Sequence, residues 1–188
     1  MEKRAAEGLT ALLAYTWSHF LAYGSNINGG GNGPPQDARC YNCEWGSMPE
    51  DRRHIAVVNH VYELPFGYKR KFVNSGLLSH IVGNWDLSGI WSVASGEHFT
   101  PTLAAPVSNS AGGGGDRPNR LADGNLPNDN RTIDRWFDIS AFVSPAQFSF
   151  GNAGRGILVG PGSFNVDLGI HRNFQVNEKL RLNFWEMF

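Results

Sequence analysis

The sequence is poor in charge and in cysteine, and it contains no long apolar run. Lys and Arg supply 16 of its 188 residues and Asp and Glu supply 17, so the net charge is −1. A nucleic-acid-binding protein should carry a basic surplus, and we therefore expect no nucleic-acid partner. A helix needs about 18 consecutive apolar residues to cross a bilayer, and the absence of such a run excludes a transmembrane helix.

The N-terminus superficially resembles a signal peptide. Lys3 and Arg4 precede an apolar stretch at residues 9–15. However, Glu2 and Glu7 lie in the region that should be purely basic or apolar, and no small-residue cleavage site follows. We therefore expect no signal peptide in this chain.

Alternation of apolar with small or polar residues is the main feature that is present. One stretch, for example, places Trp85, Leu87, Trp91 and Val93 on one side of an extended chain. Such period-2 patterns predict strands near residues 8–18, 53–64, 83–94, 163–173 and 178–188. No segment predicts a long helix. The prediction is an all-β, antiparallel fold in a single region, residues 1–188.

The segments between the predicted strands alternate between long and short. Two long Gly/Asn/Pro-rich loops are predicted at residues 19–52 and 95–162. This alternation, with strands of about ten residues, is typical of transmembrane β-barrels, which have long loops at one rim and short turns at the other. A small soluble β-sandwich or open sheet is the alternative, because its antiparallel strands also alternate.

Several short strings, taken in order, point to a known family. They are GLT at 8–10, YTWS at 15–18, DRRH at 51–54, VYELPFG at 61–67, WDLSGI at 85–90, RPN at 117–119, WFD at 136–138, FGNAGR at 150–155 and GPGSFNVDL at 160–168. In this order and spacing the chain resembles the C-terminal barrel region of TonB-dependent outer-membrane receptors. The resemblance is to the Oar-like group, which has a carboxypeptidase-regulatory-like N-terminal domain.

The resemblance implies a fragment of a larger transmembrane barrel, because natural single-chain barrels use at least about eight strands. Its location would be the outer membrane of a Gram-negative bacterium. Its partners would be the lipid bilayer, the rest of the barrel and, through the parent receptor, an inner-membrane energy-coupling protein. The loops would recognise a bulky ligand such as an oligosaccharide or siderophore, without chemistry of their own. The alternative function is a small soluble all-β hydrolase of esters or glycosides, expressed from this frame alone.

Motifs for catalysis or for a cofactor are missing, so we expect no enzyme activity and no cofactor. The sequence contains neither G-x-S-x-G nor S-x-x-K, and the catalytic residues of a hydrolase stay unknown. Residues 112–115 are glycines that lack the Lys-Ser/Thr of a phosphate loop, which predicts a flexible segment. Nothing selects a catalytic pair from the acidic residues Glu63, Asp86, Glu97, Asp134, Asp138 and Asp167.

The two cysteines, Cys40 and Cys43, form a single C-x-x-C pair. One such pair supplies too few ligands for a tetrahedral zinc site, and His54 and His60 lie too far apart along a strand to complete it. No metal site is therefore predicted. A small disulfide that staples the loop is the preferred role for Cys40 and Cys43.

Aromatic residues in the predicted loops are the candidates for ligand binding. Trp45, Trp136 and Phe137, together with Asp138, lie in the two long loops. Aromatic rings beside polar groups are suited to stacking on a sugar or a similar ligand. These residues are the predicted recognition site.

Overall fold

The computed structural model describes residues 2–4, 8–23, 35–67, 70–73, 75–110, 115–175 and 181–188. Its strands are β1 (Glu2–Arg4), β2 (Leu9–Trp17), β3 (Leu21–Tyr23), β4 (Trp45–Ser47), β5 (His54–Glu63), β6 (Trp85–Ala94), β7 (His98–Phe99), β8 (Asn119–Arg120), β9 (Phe142–Val143), β10 (Leu158–Val159), β11 (Ser163–Gln175) and β12 (Arg181–Met187). The helical elements are α1 (Leu77–Val82) and 3-10 turns at Tyr41–Glu44, Asn128–Asn130 and Ile139–Ala141. The all-β, antiparallel prediction is confirmed.

None of the helices in these described ranges is long and apolar enough to cross a membrane. Of residues 112–115, predicted as a flexible segment, 112–114 lie outside the described residues and Gly115 is exposed.

A six-stranded sheet in the order β1-β2-β5-β6-β11-β12 forms the larger framework. Strand β5 pairs with β6 from Ile55 opposite Ala94 to Glu63 opposite Asp86, and β11 pairs with the other side of β6 starting from Ser163 opposite Ala94. Each long strand therefore lies next to the long strand that follows it in the sequence. This up-and-down order leaves β1 and β12 as the edges of the described sheet.

The register separates an apolar face of the sheet from a more polar face. Residues directly opposite each other on paired strands lie on the same face. Trp91 lies between Val58 on one neighbour and Val166 on the other, whereas Ser92 lies opposite Asn165. The period-2 alternation in the sequence therefore corresponds to two chemically different faces.

The chain divides into two compact units. The first comprises Met1–Thr16, His54–Ala94 and Ser163–Phe188, and it contains the long strands. The second comprises Trp17–Arg53 and Ser95–Gly162. These latter segments nearly coincide with the predicted loops, but they contain short strands and 3-10 turns.

The buried apolar side chains among the described residues are those of Met48, Ala141, Ala153 and Leu158. All of them belong to the second unit. In the first unit, large apolar side chains such as Phe164 and Leu168 are 63% and 43% exposed. The long strands therefore form a sheet whose apolar residues are not covered by the described part of the chain.

In the second unit, the side-chain amide of Asn125 forms hydrogen bonds to backbone groups that a neighbouring strand would otherwise pair. The backbone N–H of Val159 donates to Oδ1 of Asn125 over 3.1 Å, and Nδ2 of Asn125 donates to the carbonyl oxygen of Ile157 over 2.8 Å. An Asn side chain can satisfy both groups because it carries the same donor and acceptor as a peptide. This is one reason why a segment rich in Asn and Gly forms ordered structure here.

The two faces of the sheet predict different responses to an introduced charge. Leu168 lies near the middle of β11 on the apolar face, and Ser92 lies on the opposite face of the neighbouring strand. For a sheet that forms part of a membrane barrel, Leu168→Arg should destabilise the barrel by about 2–4 kcal/mol, and Ser92→Arg should have a much smaller effect. Heat-modifiable migration of the barrel protein in outer-membrane fractions measures both. Equal loss of folded barrel for the two variants would contradict a lipid-facing apolar side.

Candidate ligand-recognition surface

A carboxylate held between two guanidinium groups lies inside the second unit. Glu44, at the end of the 3-10 turn, is 1% exposed. One of its oxygens accepts a hydrogen bond from Nη2 of Arg117 over 2.9 Å, and the other accepts from Nε of Arg155. Burial lowers the pKa of Arg117, and the Glu44 carboxylate opposes that shift. The opposite charge thus compensates for the removal of the guanidinium group from water.

Gln36 extends this buried cluster to a further part of the chain. Its side-chain amide donates to the carbonyl oxygen of Gly151 over 2.9 Å and accepts from the backbone N–H of Arg117 over 2.7 Å. Its own backbone N–H donates to Glu44 over 3.2 Å. The cluster therefore ties together segments that lie more than a hundred residues apart in sequence.

The predicted cysteine pair lies directly before Glu44. Cys40 and Cys43 form a disulfide that encloses the start of the 3-10 turn. The carbonyl oxygen of Cys43 also accepts a hydrogen bond from Nη2 of Arg117 over 3.3 Å. Covalent and ionic constraints therefore act on the same short turn.

Three aromatic rings cluster at this turn and the two strands next to it. The ring of Tyr23, on β3, stacks on Tyr41 with 4.4 Å between ring centroids, and it contacts Trp45 with 4.8 Å between centroids. Strands β3 and β4 pair with Tyr23 opposite Trp45. Tyr41 is 61% exposed and Trp45 is 49% exposed. Trp45 was a predicted site residue, whereas the two tyrosines were missed because no motif marks them.

The other predicted site residues lie together elsewhere in the second unit, where they make internal contacts. Nε1 of Trp136 donates to the carbonyl oxygen of Val159 over 2.7 Å. The ring of Phe137 packs edge-on against Phe99 and Phe142. The structure thus places Trp136, Phe137 and Asp138 in one segment and Trp45 in the separate cluster with Tyr23 and Tyr41.

Asp138 uses its carboxylate to hold the local backbone. It accepts hydrogen bonds from the backbone N–H and the hydroxyl of Ser140, over 3.2 and 2.8 Å, and from Arg135 over 3.3 Å. The Ser140 hydroxyl bond is the main cause that lowers the pKa of Asp138. These contacts cap the 3-10 turn at Ile139–Ala141.

Asp51 is a second fully buried carboxylate that sequence reasoning missed. Its Oδ1 accepts from the backbone N–H of Phe20 over 3.0 Å. Its Oδ2 lies 3.5 Å from Arg53, 3.7 Å from Nε2 of His19 and 3.6 Å from Nε2 of His98. The carboxylate therefore joins both long segments of the second unit.

Asp116 is a third buried carboxylate and it organises a local turn. It accepts hydrogen bonds from the backbone N–H groups of Val107 and Ser108, over 2.6 and 2.7 Å, and from the Ser108 hydroxyl over 2.7 Å. Burial acts to raise the pKa of Asp116, but these hydrogen bonds outweigh burial and lower it below the ordinary value of 3.8. The charged form is the one that the fold stabilises.

The buried acidic side chains of the second unit are bonded within the protein. Within the described ranges, no group of three or more His, Cys, Asp or Glu side chains is arranged to hold a metal ion. The buried carboxylates of Glu44, Asp51 and Asp116 are engaged with donors of the protein itself. The exposed rings of Tyr41 and Trp45 are suited to contact with a ligand.

The Glu44 cluster predicts a large effect of a single neutralising substitution. Glu44→Gln leaves two buried guanidinium groups without their anion and should destabilise the second unit by about 3–5 kcal/mol. Glu97→Gln is the matched control, because Glu97 pairs with Arg52 while its side chain is 55% exposed, and an exposed pair contributes at most about 1 kcal/mol. Limited proteolysis of the membrane-inserted protein in increasing urea reports both effects. Equal resistance of Glu44→Gln and Glu97→Gln would show that the buried cluster contributes little.

Asp116 predicts a loss of local order in acid. A carboxyl group whose pKa is lowered in the folded state adds stability above its ordinary pKa of 3.8, and this stability is lost as the pH falls through the lowered value. Protection of the Val107 and Ser108 amides against hydrogen exchange, corrected for intrinsic rates, should therefore decrease below pH 3.8. Asp116→Asn should abolish this pH dependence. An unchanged acid response in that variant would assign the effect to another group.

Comparison with known proteins gives one result for the whole chain. The family model described as outer membrane beta barrel domain matches residues 1–188. No curated protein and no solved structure is significantly similar to the chain. The family match accounts for the uncovered apolar side chains of the long strands, because lipid covers such side chains in an outer membrane. The chain belongs to the outer membrane β-barrel domain family.

Proposed function

We propose that the chain is a barrel segment of a TonB-dependent outer-membrane receptor, with the second unit as its ligand-recognition part. The main support for the proposal is that the start of β5, the end of β6 and the start of β11 are aligned across the sheet. Ile55, Ala94 and Ser163 lie in one row across the sheet. Segments 18–53 and 95–162 therefore connect to the same end of the sheet, as external loops of a barrel do.

The edges of the sheet require further strands. Strands β1 and β12 are the ends of the described six-stranded order, and unpaired edges are not stable within hydrocarbon. The remainder of the barrel would supply the missing neighbours. The lipid bilayer and the rest of the receptor are thus the first partners of this chain.

Resemblance in sequence supports the TonB-dependent assignment. The strings VYELPFG at 61–67 and GPGSFNVDL at 160–168, with the others in the same order, resemble those of the Oar-like receptors. Such a receptor would lie in the outer membrane of a Gram-negative bacterium. It would import a bulky ligand with energy supplied by an inner-membrane coupling protein.

Ligand recognition is assigned to the aromatic residues of the second unit that the sequence predicts, together with Asp138. Trp45, Trp136, Phe137 and Asp138 are the proposed contacts. Their geometry ranks Trp45 first, because this residue is 49% exposed, whereas Trp136 is hydrogen-bonded to the backbone and Asp138 caps a turn. No observation favours the soluble hydrolase, which would have to cover apolar side chains such as Phe164.

Energised transport predicts sensitivity to the proton gradient. Cells that carry the full receptor containing this chain should accumulate one member of a panel of labelled ferric siderophores and oligosaccharides. A protonophore should abolish that accumulation while leaving binding at the cell surface unchanged, because coupling and recognition are separate steps. Uptake that continues after the gradient is collapsed would identify a passive channel instead.

A further inference from the structure

We propose that Tyr23, Tyr41 and Trp45, here called the aromatic platform, bind the pyranose rings of a neutral oligosaccharide. The inference rests on the proposed receptor function and names the class of ligand that the second unit recognises. It adds two tyrosines to the site and makes Trp45 its centre of contact.

The rings are arranged as a supported surface rather than as a closed cage. Tyr23 is half-buried and lies between the other two rings, with centroids 4.4 Å from Tyr41 and 4.8 Å from Trp45. Tyr41 and Trp45 are 61% and 49% exposed. Tyr23 therefore serves as the support, and the exposed parts of Tyr41 and Trp45 can contact a ligand.

Buried contacts of neighbouring residues hold the aromatic platform in place. Trp45 directly follows Glu44, whose carboxylate is fixed by Arg117 and Arg155. Gly46 follows Trp45, and a Cβ there would clash with the carbonyl oxygen of Arg155, so β4 lies close against that segment.

The disulfide between Cys40 and Cys43 restrains the turn that carries Tyr41. A surface that is rigid before binding loses little conformational entropy when the ligand arrives. The buried charges and the disulfide thus explain how these exposed rings are held in place.

The polar groups around the platform favour a neutral ligand with hydroxyl groups. The Tyr23 hydroxyl lies 3.5 Å from Oδ1 of Asn42, and the Asn42 residue is exposed. The charged residue next to Trp45, Glu44, is buried and paired with Arg117 and Arg155. Before the turn, Asp37 and Arg39 pair with each other over 3.3 Å.

The charged side chains of this turn are therefore engaged with partners within the protein, which favours a ligand without charge. A pyranose ring has an apolar C–H face that packs on an aromatic ring and a rim of hydroxyl groups that bond to amides and phenols. That combination matches rings bordered by Asn42 and tyrosine hydroxyls.

The test uses the intact barrel protein in lipid nanodiscs, with fluorotryptophan in place of tryptophan. Cellohexaose and maltohexaose are the probes, and fluorine NMR follows the Trp45 signal, which Trp45→Phe identifies. At least one probe should shift that signal. Affinities of all variants are measured by isothermal titration calorimetry, which does not depend on the Trp45 signal. Tyr41→Ala and Trp45→Ala should each weaken binding on the order of tenfold, the loss expected when a central aromatic contact is removed.

Two matched variants separate stacking from general damage. Tyr41→Phe keeps the ring and should bind within about threefold of the unmodified protein, because stacking depends on the ring face. Phe20→Ala removes another exposed aromatic side chain of the same unit, 49% exposed, and should leave binding unchanged.

Absence of a Trp45 shift with both probes would overturn the proposal, as would equal losses for Phe20→Ala and Trp45→Ala. Binding of ferric enterobactin, a catecholate, in place of the sugars would also overturn it while leaving the receptor function intact. Sugar binding without gradient-dependent uptake would retain the platform and remove the transport function. The two proposals therefore fail independently.

Discussion

A strand that crosses a bilayer has to satisfy its backbone N–H and C=O groups through neighbouring strands, because hydrocarbon offers no other partner. The long strands of this chain meet that requirement by pairing antiparallel in an up-and-down order. The register that results aligns Ile55, Ala94 and Ser163. Both long segments consequently connect to one end of the sheet, and the apolar side chains of the strands are left for lipid.

The second unit forms ordered structure from segments that are rich in Gly, Asn and Pro. Among the described residues, few apolar side chains of this unit are buried. Buried charged side chains instead form many of the contacts that join its segments. Glu44 joins Arg117 and Arg155. A buried ion pair adds little net stability over an apolar core, but it is strongly disrupted when one partner is lost. Such a cluster is suited to holding a binding surface in one defined conformation.

Much of the sheet could be predicted from the sequence, because alternation with period 2 is a local signal. The predicted segments 8–18, 53–64 and 83–94 lie within a residue or two of the strands Leu9–Trp17, His54–Glu63 and Trp85–Ala94. The candidate site could be predicted only in part from the sequence. Trp45 stands out as an aromatic residue in a polar loop, whereas nothing local distinguishes the buried Glu44 from an exposed acid such as Glu97.

The sequence by itself determined the all-β class, the positions of the long strands and the outer-membrane character, because these follow from residue alternation and from short strings along the chain. Only the tertiary structure decided that Tyr23 stacks on Tyr41 beside Trp45. It also decided that Gln36 bonds to Gly151, which lies 115 residues further along the chain. Contacts between residues so far apart depend on how the chain returns upon itself, and no local pattern encodes that return.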